Sequence, residues 1–132
     1  MKNKLIKLIQ SREVQVAVIG LGYVGLPLAV GFAEKGIRVI GLDTDSNKIA
    51  SIATAKETIV GIQPERIVNV SSGTAPSLTF TTDYDALKKV DVAIICVPTP
   101  LKDEIEPDLS FVELAAKEIS KRLHDGMLIV LE

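Results

Sequence analysis

Six residues, Gly20-Leu21-Gly22-Tyr23-Val24-Gly25, constrain this chain more than any others. They fit G-x-G-x-x-G and stand between a β-branched run, Val14–Ile19, and a stretch of helical character, Val24–Lys35, which Gly36 is placed to end. Alone, a glycine hexapeptide of this kind arises by chance. Between a strand and a helix, with an acid closing the next strand, it becomes the fingerprint of a dinucleotide-binding turn. That acid is Asp43, which follows the run Ile37–Leu42 and lies 23 residues beyond Gly20. In such a turn Gly20 permits the sharp bend, Gly22 lets backbone approach a pyrophosphate, and Gly25 lets helix and strand pack closely. The N–H groups around Tyr23 and Val24 then point at the phosphates, helped by the positive end of the helix dipole. Asp43 would accept hydrogen bonds from the adenosine ribose and repel a 2′-phosphate. Asp45 adds negative charge, and Lys48 is the nearest cation, although a lysine on an exposed turn is often only solvated. The residue types favour NAD over NADP.

The rest of the chain continues the alternation of strand and helix. Asp45 to about Thr54 reads as a helix capped by Asp45 or Ser46. Thr58–Ser77 is the least legible stretch, with a candidate helix over Gln63–Val70 after Pro64. Leu78–Thr81 is a weak third strand, a short helix is expected near Asp83–Lys88, and Val92–Val97 is a strong fourth strand. Ser110–Leu123 reads as a helix with Ser110 and Glu113 as an S-x-x-E capping box and Val112, Ala115, Ala116, Ile119 and Leu123 as its apolar stripe. Gly126 leads into a fifth strand, Met127–Leu131. Strands apolar throughout, alternating with helices, predict an α/β doubly wound parallel sheet of Rossmann type, strand order 3-2-1-4-5, with helices on both faces. No repeat or linker divides the 132 residues, so one domain is expected. Within Met1–Glu13, Leu5, Ile6, Leu8 and Ile9 share one helical face, predicting a short amphipathic helix laid on the domain.

Composition removes other classes. The net charge of −2 offers no positive field for nucleic acid, and aromatics at 4% with no tryptophan give few platforms for bases. A single cysteine, Cys96, forbids an internal disulfide and fits a reducing, cytoplasmic setting. A single histidine, His124, disfavours a histidine metal cage or a Ser–His triad. Val16–Ala33 is long enough and uncharged enough to suggest a membrane span, but Gly20, Gly22, Gly25, Gly31 and Pro27 sit where a strand, turn and helix need them. No membrane association is expected, and the lysines around Leu5–Ile9 interrupt any signal-peptide core.

In the predicted sheet, strands one and four are neighbours whose connections leave in opposite directions, and ligands bind beyond their C-terminal ends. Strand four runs into Cys96-Val97-Pro98-Thr99-Pro100. Each residue before a proline is held extended, so Val97, Pro98 and Thr99 would make a stiff wall beside the dinucleotide. Cys96 is expected inside a buried apolar strand, as a packing group rather than a nucleophile. His124, in a turn beside Asp125, reads as a surface residue. The acids Asp103, Glu104, Glu106 and Asp108 read as a solvated loop rather than a metal site.

Four segments together resemble a known family: Val18–Pro27, the Asp43-x-Asp45 strand end, Cys96–Leu101 with its Val-Pro-Thr-Pro core, and Glu106-Pro107-Asp108-Leu109-Ser110-Phe111-Val112. They look like the UDP-glucose/GDP-mannose dehydrogenases, and most like the bacterial UDP-N-acetylglucosamine and UDP-N-acetylmannosamine 6-dehydrogenases. The resemblance runs from about Val14 to Glu132 and is weakest over Thr54–Ser77. It implies an enzyme that oxidises the 6-hydroxyl of a nucleotide sugar to a carboxylate with two NAD per turnover. Separately, if the sheet stops at Met127–Leu131, that strand is an apolar edge that predicts a homo-oligomer or other self-association. Carried over by position, the resemblance implies phosphate contacts at Tyr23 and Val24, ribose contact at Asp43 assisted by Lys48, and Thr99 beside the cofactor. It also implies parts that this chain does not contain, namely a Ser-Thr segment beyond Glu132 and a sugar-nucleotide domain with a nucleophilic cysteine and its Lys and Asn partners. Cys96 does not match that nucleophile. Residues 1–132 would then be the NAD-binding part, inactive alone.

Two other readings share the glycine turn. A stand-alone NAD(H)-sensing module, like the regulatory domains of potassium transport systems, would do no chemistry. An NADP-dependent β-hydroxyacid dehydrogenase would place a basic residue directly after the strand-end position, where Asp43 is followed by none.

Overall fold

Both faces of the central strands are apolar, and the chain covers them with helices from opposite sides. The computed structural model describes residues 1–55, 59–103 and 105–132. In chain order its elements are α1 (Lys2–Ser11), β1 (Gln15–Ile19), α2 (Gly25–Glu34), β2 (Arg38–Leu42), α3 (Ser46–Thr54), α4 (Pro64–Ser71) and β3 (Leu78–Thr81). A 3-10 helix (Tyr84–Lys89), β4 (Val92–Ile95), β5 (Leu101–Lys102), β6 (Glu106–Pro107), α5 (Ser110–Ser120) and β7 (Leu128–Leu131) follow. Five strands form one parallel sheet in the order β3-β2-β1-β4-β7, which is the 3-2-1-4-5 arrangement expected. In register, Val18 lies opposite Gly41 on one side and Ile94 on the other.

Side chains alternate across this sheet, as a two-residue period requires. Val16, Val18, Val39 and Ile94 face α2, α3 and α4, which contribute Leu26, Ala29, Val30, Ile52 and Ile67. Ala17, Ile19, Leu42, Ala93 and Ile95 face the 3-10 helix and α5, which contribute Leu87, Ala115 and Ile119. Each large aliphatic side chain buried this way gains roughly 1.5–3 kcal/mol over an exposed one. Connections therefore leave β1 and β4 on opposite sides of the sheet, and a crevice opens beyond their C-terminal ends.

Several local expectations are corrected. In α1, among the described residues, only Leu5 and Leu8 pack on the domain, while Ile6 and Ile9 are exposed, because two apolar pairs separated by Lys7 span more arc than one contact covers. The last long helix ends at Ser120, leaving Leu123 beyond it and exposed, and Ala116 faces solvent. No capping box forms there. The helix begins at Ser110 with Leu109 at the cap position, the Ser110 N–H donates to Asp108 Oδ1 at 2.9 Å, and the Glu113 N–H already donates to the Leu109 carbonyl. Strand four ends at Ile95, two residues early, because Cys96 onward turns away from β7 into the proline segment. The loop before α5 contains the two-residue hairpin β5–β6, which the periodicity does not announce. Glu104, one of the loop acids, lies outside the described residues.

Candidate functional site

The glycine turn sits at the tip of β1. Gly20 takes a left-handed φ of +93°, and a Cβ there would come within 2.7 Å of the Cys96 carbonyl oxygen, so neither conformation nor space admits another residue. A Cβ on Gly25 would run into the Gly20 carbonyl, while one on Gly22 would meet open space. Gly20 and Gly25 thus allow turn and strand to pack closely, while Gly22 leaves the space above the turn open. Among the described residues, the N–H groups of Gly22, Tyr23, Val24 and Gly25 have no protein acceptor. No side chain caps α2, but within its first turn the Leu26 and Leu28 N–H groups already donate to the Gly22 and Val24 carbonyls, and Pro27 carries none. The bare donors that line the crevice therefore belong to the glycine turn, at Gly22, Tyr23 and Val24. Leu21, by contrast, is buried, and its side chain anchors the turn in the core beneath α2.

At the tip of β2, Asp43 is a buried carboxylate with 8% of its surface exposed. Its Oδ2 accepts from the Leu21 N–H at 3.0 Å and from Lys48 Nζ at 3.1 Å, and its Oδ1 accepts from the Asp45 N–H at 3.0 Å. Burial alone pushes this carboxyl upward. The hydrogen bonds from Leu21, Asp45 and Lys48, with the Lys48 charge, outweigh it and hold Asp43 below the usual carboxylate range. Lys48 is therefore a partner of Asp43 rather than a solvated lysine. Asp45 is occupied elsewhere, capping α3 by accepting from the Asn47 and Lys48 N–H groups.

Beyond β4 the chain passes Cys96, Val97, Pro98 and Thr99 across the crevice from the turn. Cys96 is not inside the strand as expected. It is half-buried and lines the crevice, and burial together with the Glu132 charge pushes its thiol up. A thiol so protonated is a poor nucleophile. His124 lies at the opposite, N-terminal edge of the sheet, with Nε2 2.9 Å from the Val90 carbonyl oxygen. Among the described residues no group of three or more His, Cys, Asp or Glu could hold a metal ion, and no helix is long and apolar enough to cross a membrane.

The crevice is a groove of two connected parts that meet at Gly20, Asp43, Lys48, Val97 and Pro98. The larger, of about 570 Å³, holds the glycine turn, with Tyr23 88% exposed at its rim, and the Thr99 wall. The smaller, of about 270 Å³, adds Thr44, Tyr84, Phe111 and Leu114. Reading the sequence missed these last residues. Phe111 and Leu114 lie off the buried stripe of α5, and large apolar side chains so placed at a helix start were the available signal. Burial first, then the Glu118 and Asp43 charges, raise the Tyr84 phenol, so it remains an O–H donor at neutral pH. Among the lining residues described, Lys48 is the one cation, so a phosphate here would rely chiefly on backbone N–H groups. The groove suits an extended nucleotide: bare amides at the turn for a diphosphate, a carboxylate at the junction for a ribose, and an apolar, partly aromatic end for a base.

Comparison with known proteins points the same way. Residues 14–132 match the NAD binding domain of the UDP-glucose/GDP-mannose dehydrogenase family. A UDP-N-acetyl-D-mannosamine dehydrogenase of Campylobacter jejuni is 41% identical over 121 residues, covering 89% of this chain and 28% of the relative. A UDP-N-acetyl-D-glucosamine 6-dehydrogenase of Pseudomonas aeruginosa is 35% identical, covering 92% of this chain and 27% of the relative. Among solved structures, a UDP-D-ManNAc dehydrogenase from Pyrococcus horikoshii superposes with a TM-score of 0.79 at 38% identity, over 90% of this chain and 28% of that one. This chain thus spans little more than a quarter of the length of these relatives. It belongs to the UDP-glucose/GDP-mannose dehydrogenase family, as a Rossmann-type NAD-binding domain whose cofactor is NAD.

Proposed function

We propose that residues 1–132 are the cofactor-binding domain of an enzyme that oxidises the 6-hydroxyl of a UDP-sugar to a carboxylate. The observation that carries this reading is the pairing, on adjacent strands, of four unpartnered turn N–H groups with a buried ribose-type carboxylate. In it, the N–H groups of Gly22, Tyr23, Val24 and Gly25 hold the diphosphate, and Gly20 sets the turn. Asp43 accepts from the adenosine ribose, Lys48 steadies Asp43, and Val97, Pro98 and Thr99 form the facing wall. NAD supplies the hydride acceptor. The names of the relatives favour a UDP-N-acetylhexosamine as the sugar nucleotide. The lone, protonated Cys96 and the nucleotide cofactor support a cytoplasmic setting, and, if the sheet stops at β7, its apolar edge supports a homo-oligomer.

Oxidation to a carboxylate requires a second hydride transfer, which a covalent thiohemiacetal on a reactive thiolate makes possible. Cys96 is raised rather than lowered, and His124 is at the far edge of the sheet, so the groove supplies neither a reactive thiolate nor a histidine base. The chain alone should therefore bind cofactor without turnover. Calorimetric titration with NAD, NADP and UDP-N-acetylglucosamine separately tests this. NAD should bind, NADP should bind at least ~10-fold more weakly, and the sugar nucleotide should give no heat. Equal affinity for NAD and NADP would overturn the ribose assignment. NADH formation that disappears in Cys96→Ser would overturn the absence of catalysis.

A further inference from the structure

Tyr84 lines the smaller cavity from the first residue of a 3-10 helix, an element whose hydrogen bonds hold it only weakly. Arg122, just past α5, supplies what that helix lacks. Its Nε donates to Asp85 Oδ1 at 2.7 Å, and its Nη1 donates to Glu118 Oε2 at 2.7 Å and to the Glu118 carbonyl at 3.0 Å. Its guanidinium carbon lies 5.8 Å from the centroid of the Tyr84 ring. The Arg122 side chain is 16% exposed, well below the other paired cations, so this contact is shielded from water in a way they are not. Arg122 therefore ties the 3-10 helix to α5 while resting against the aromatic ring, in a geometry that a planar, forked cation can satisfy and a point charge cannot.

We propose that Arg122 is a positioning residue for the base-binding end of the groove, holding the Tyr84 ring as a preformed wall for the purine of the dinucleotide. The proposal rests on the reading that this chain binds NAD. Arg122 does not line the cavity and acts only through Tyr84. A fixed ring loses no rotamer freedom when a purine docks on it, whereas a loose ring must be immobilised on binding.

AMP is the probe, because it carries the purine and ribose without the nicotinamide half. The chain has two tyrosines and no tryptophan, so in a Tyr23→Phe background the emission of Tyr84 alone reports on purine contact. AMP should quench that emission. By calorimetry, Arg122→Met should weaken AMP about 5- to 10-fold, and Arg122→Lys should recover part of the loss by keeping a cation near the ring. In a Tyr84→Leu background, Arg122→Met should have no further effect on AMP, whereas a general structural role would persist there. Should Arg122→Met fail to fold, Asp85→Ala carries the same comparison by removing one anchor of the guanidinium. Unchanged AMP affinity, an equal loss in the Tyr84→Leu background, or unquenched Tyr84 emission would each overturn the proposal while leaving NAD binding standing. Wild-type chain that binds no NAD would instead remove the reading beneath it.

Discussion

Leu21 and Asp43, at the tips of adjacent strands, are joined by a 3.0 Å hydrogen bond from the Leu21 amide to Asp43 Oδ2. The glycine turn and the ribose-type carboxylate are therefore one mechanical unit. Leu21 secures that unit through its buried side chain, and Asp43 secures it by accepting at both oxygens. Asp43→Asn replaces one acceptor with an NH2 that must face a donor. It should cost about 1–3 kcal/mol of stability. It should also weaken NAD by roughly 10-fold and narrow its margin over NADP. Chemical denaturation and titration of the same variant measure both effects.

The pH dependence follows from the same carboxylate. Its folded pKa lies below the unfolded value of about 3.9. Its contribution is therefore fully present above that value and is lost as pH falls through the folded pKa. The stability gap between wild type and Asp43→Asn should be constant from pH 5 to 7 and shrink on acidification below about 4. Urea melts across that range check it, and a gap unchanged at low pH would contradict the assignment.

The glycines separate folding from binding. Gly25→Ala drives a methyl into the Gly20 carbonyl and should cost about 2 kcal/mol or more. Gly22→Ala adds a methyl where nothing lies within 4 Å, so its stability should stay within about 0.5 kcal/mol of wild type. That methyl enters the groove, so NAD should nonetheless bind more weakly. Thermal melts alongside titrations distinguish the two classes of glycine.

Cys96 gives a chemical readout. With its thiol raised by burial and by Glu132, alkylation should stay slow up to and beyond pH 8.5, where an ordinary cysteine is half ionised. Because Cys96 lines the groove, saturating NAD should slow alkylation further. Rapid labelling at pH 7 that NAD leaves unaffected would show that the thiol lies elsewhere.

The β7 edge should drive self-association. Among the described residues that strand pairs only with β4, and its Leu128, Ile129 and Leu131 are exposed, Leu131 by 65%. Apolar edges with unpaired backbone groups recruit other strands. Light scattering should find the chain associated at micromolar concentration and Ile129→Lys shifted towards monomer.

The parallel sheet, its order and the glycine turn were legible in the amino-acid sequence because each rests on local chemistry. A short, β-branched apolar run such as Val92–Ile95, stopped by Pro98 and Pro100, reads as a buried strand, and the left-handed turn at Gly20 favours glycine. The helix start at Ser110 was legible, but the capping box with Glu113 was not formed, because Asp108, two residues earlier, takes the Ser110 N–H and leaves Leu109 at the cap position. Tertiary structure alone decided the pairings that cross the chain. Lys48 is bound rather than solvated because α3 carries it back to Asp43, and Cys96 lines the groove because the strand ends before it. The smaller part of the groove brings Tyr84 and Phe111 together from separate elements, with Arg122 resting against the Tyr84 ring from just past α5. Sequence periodicity reports which face of an element is apolar, but which exposed side chains of two elements meet depends on how the sheet twists and where its helices dock.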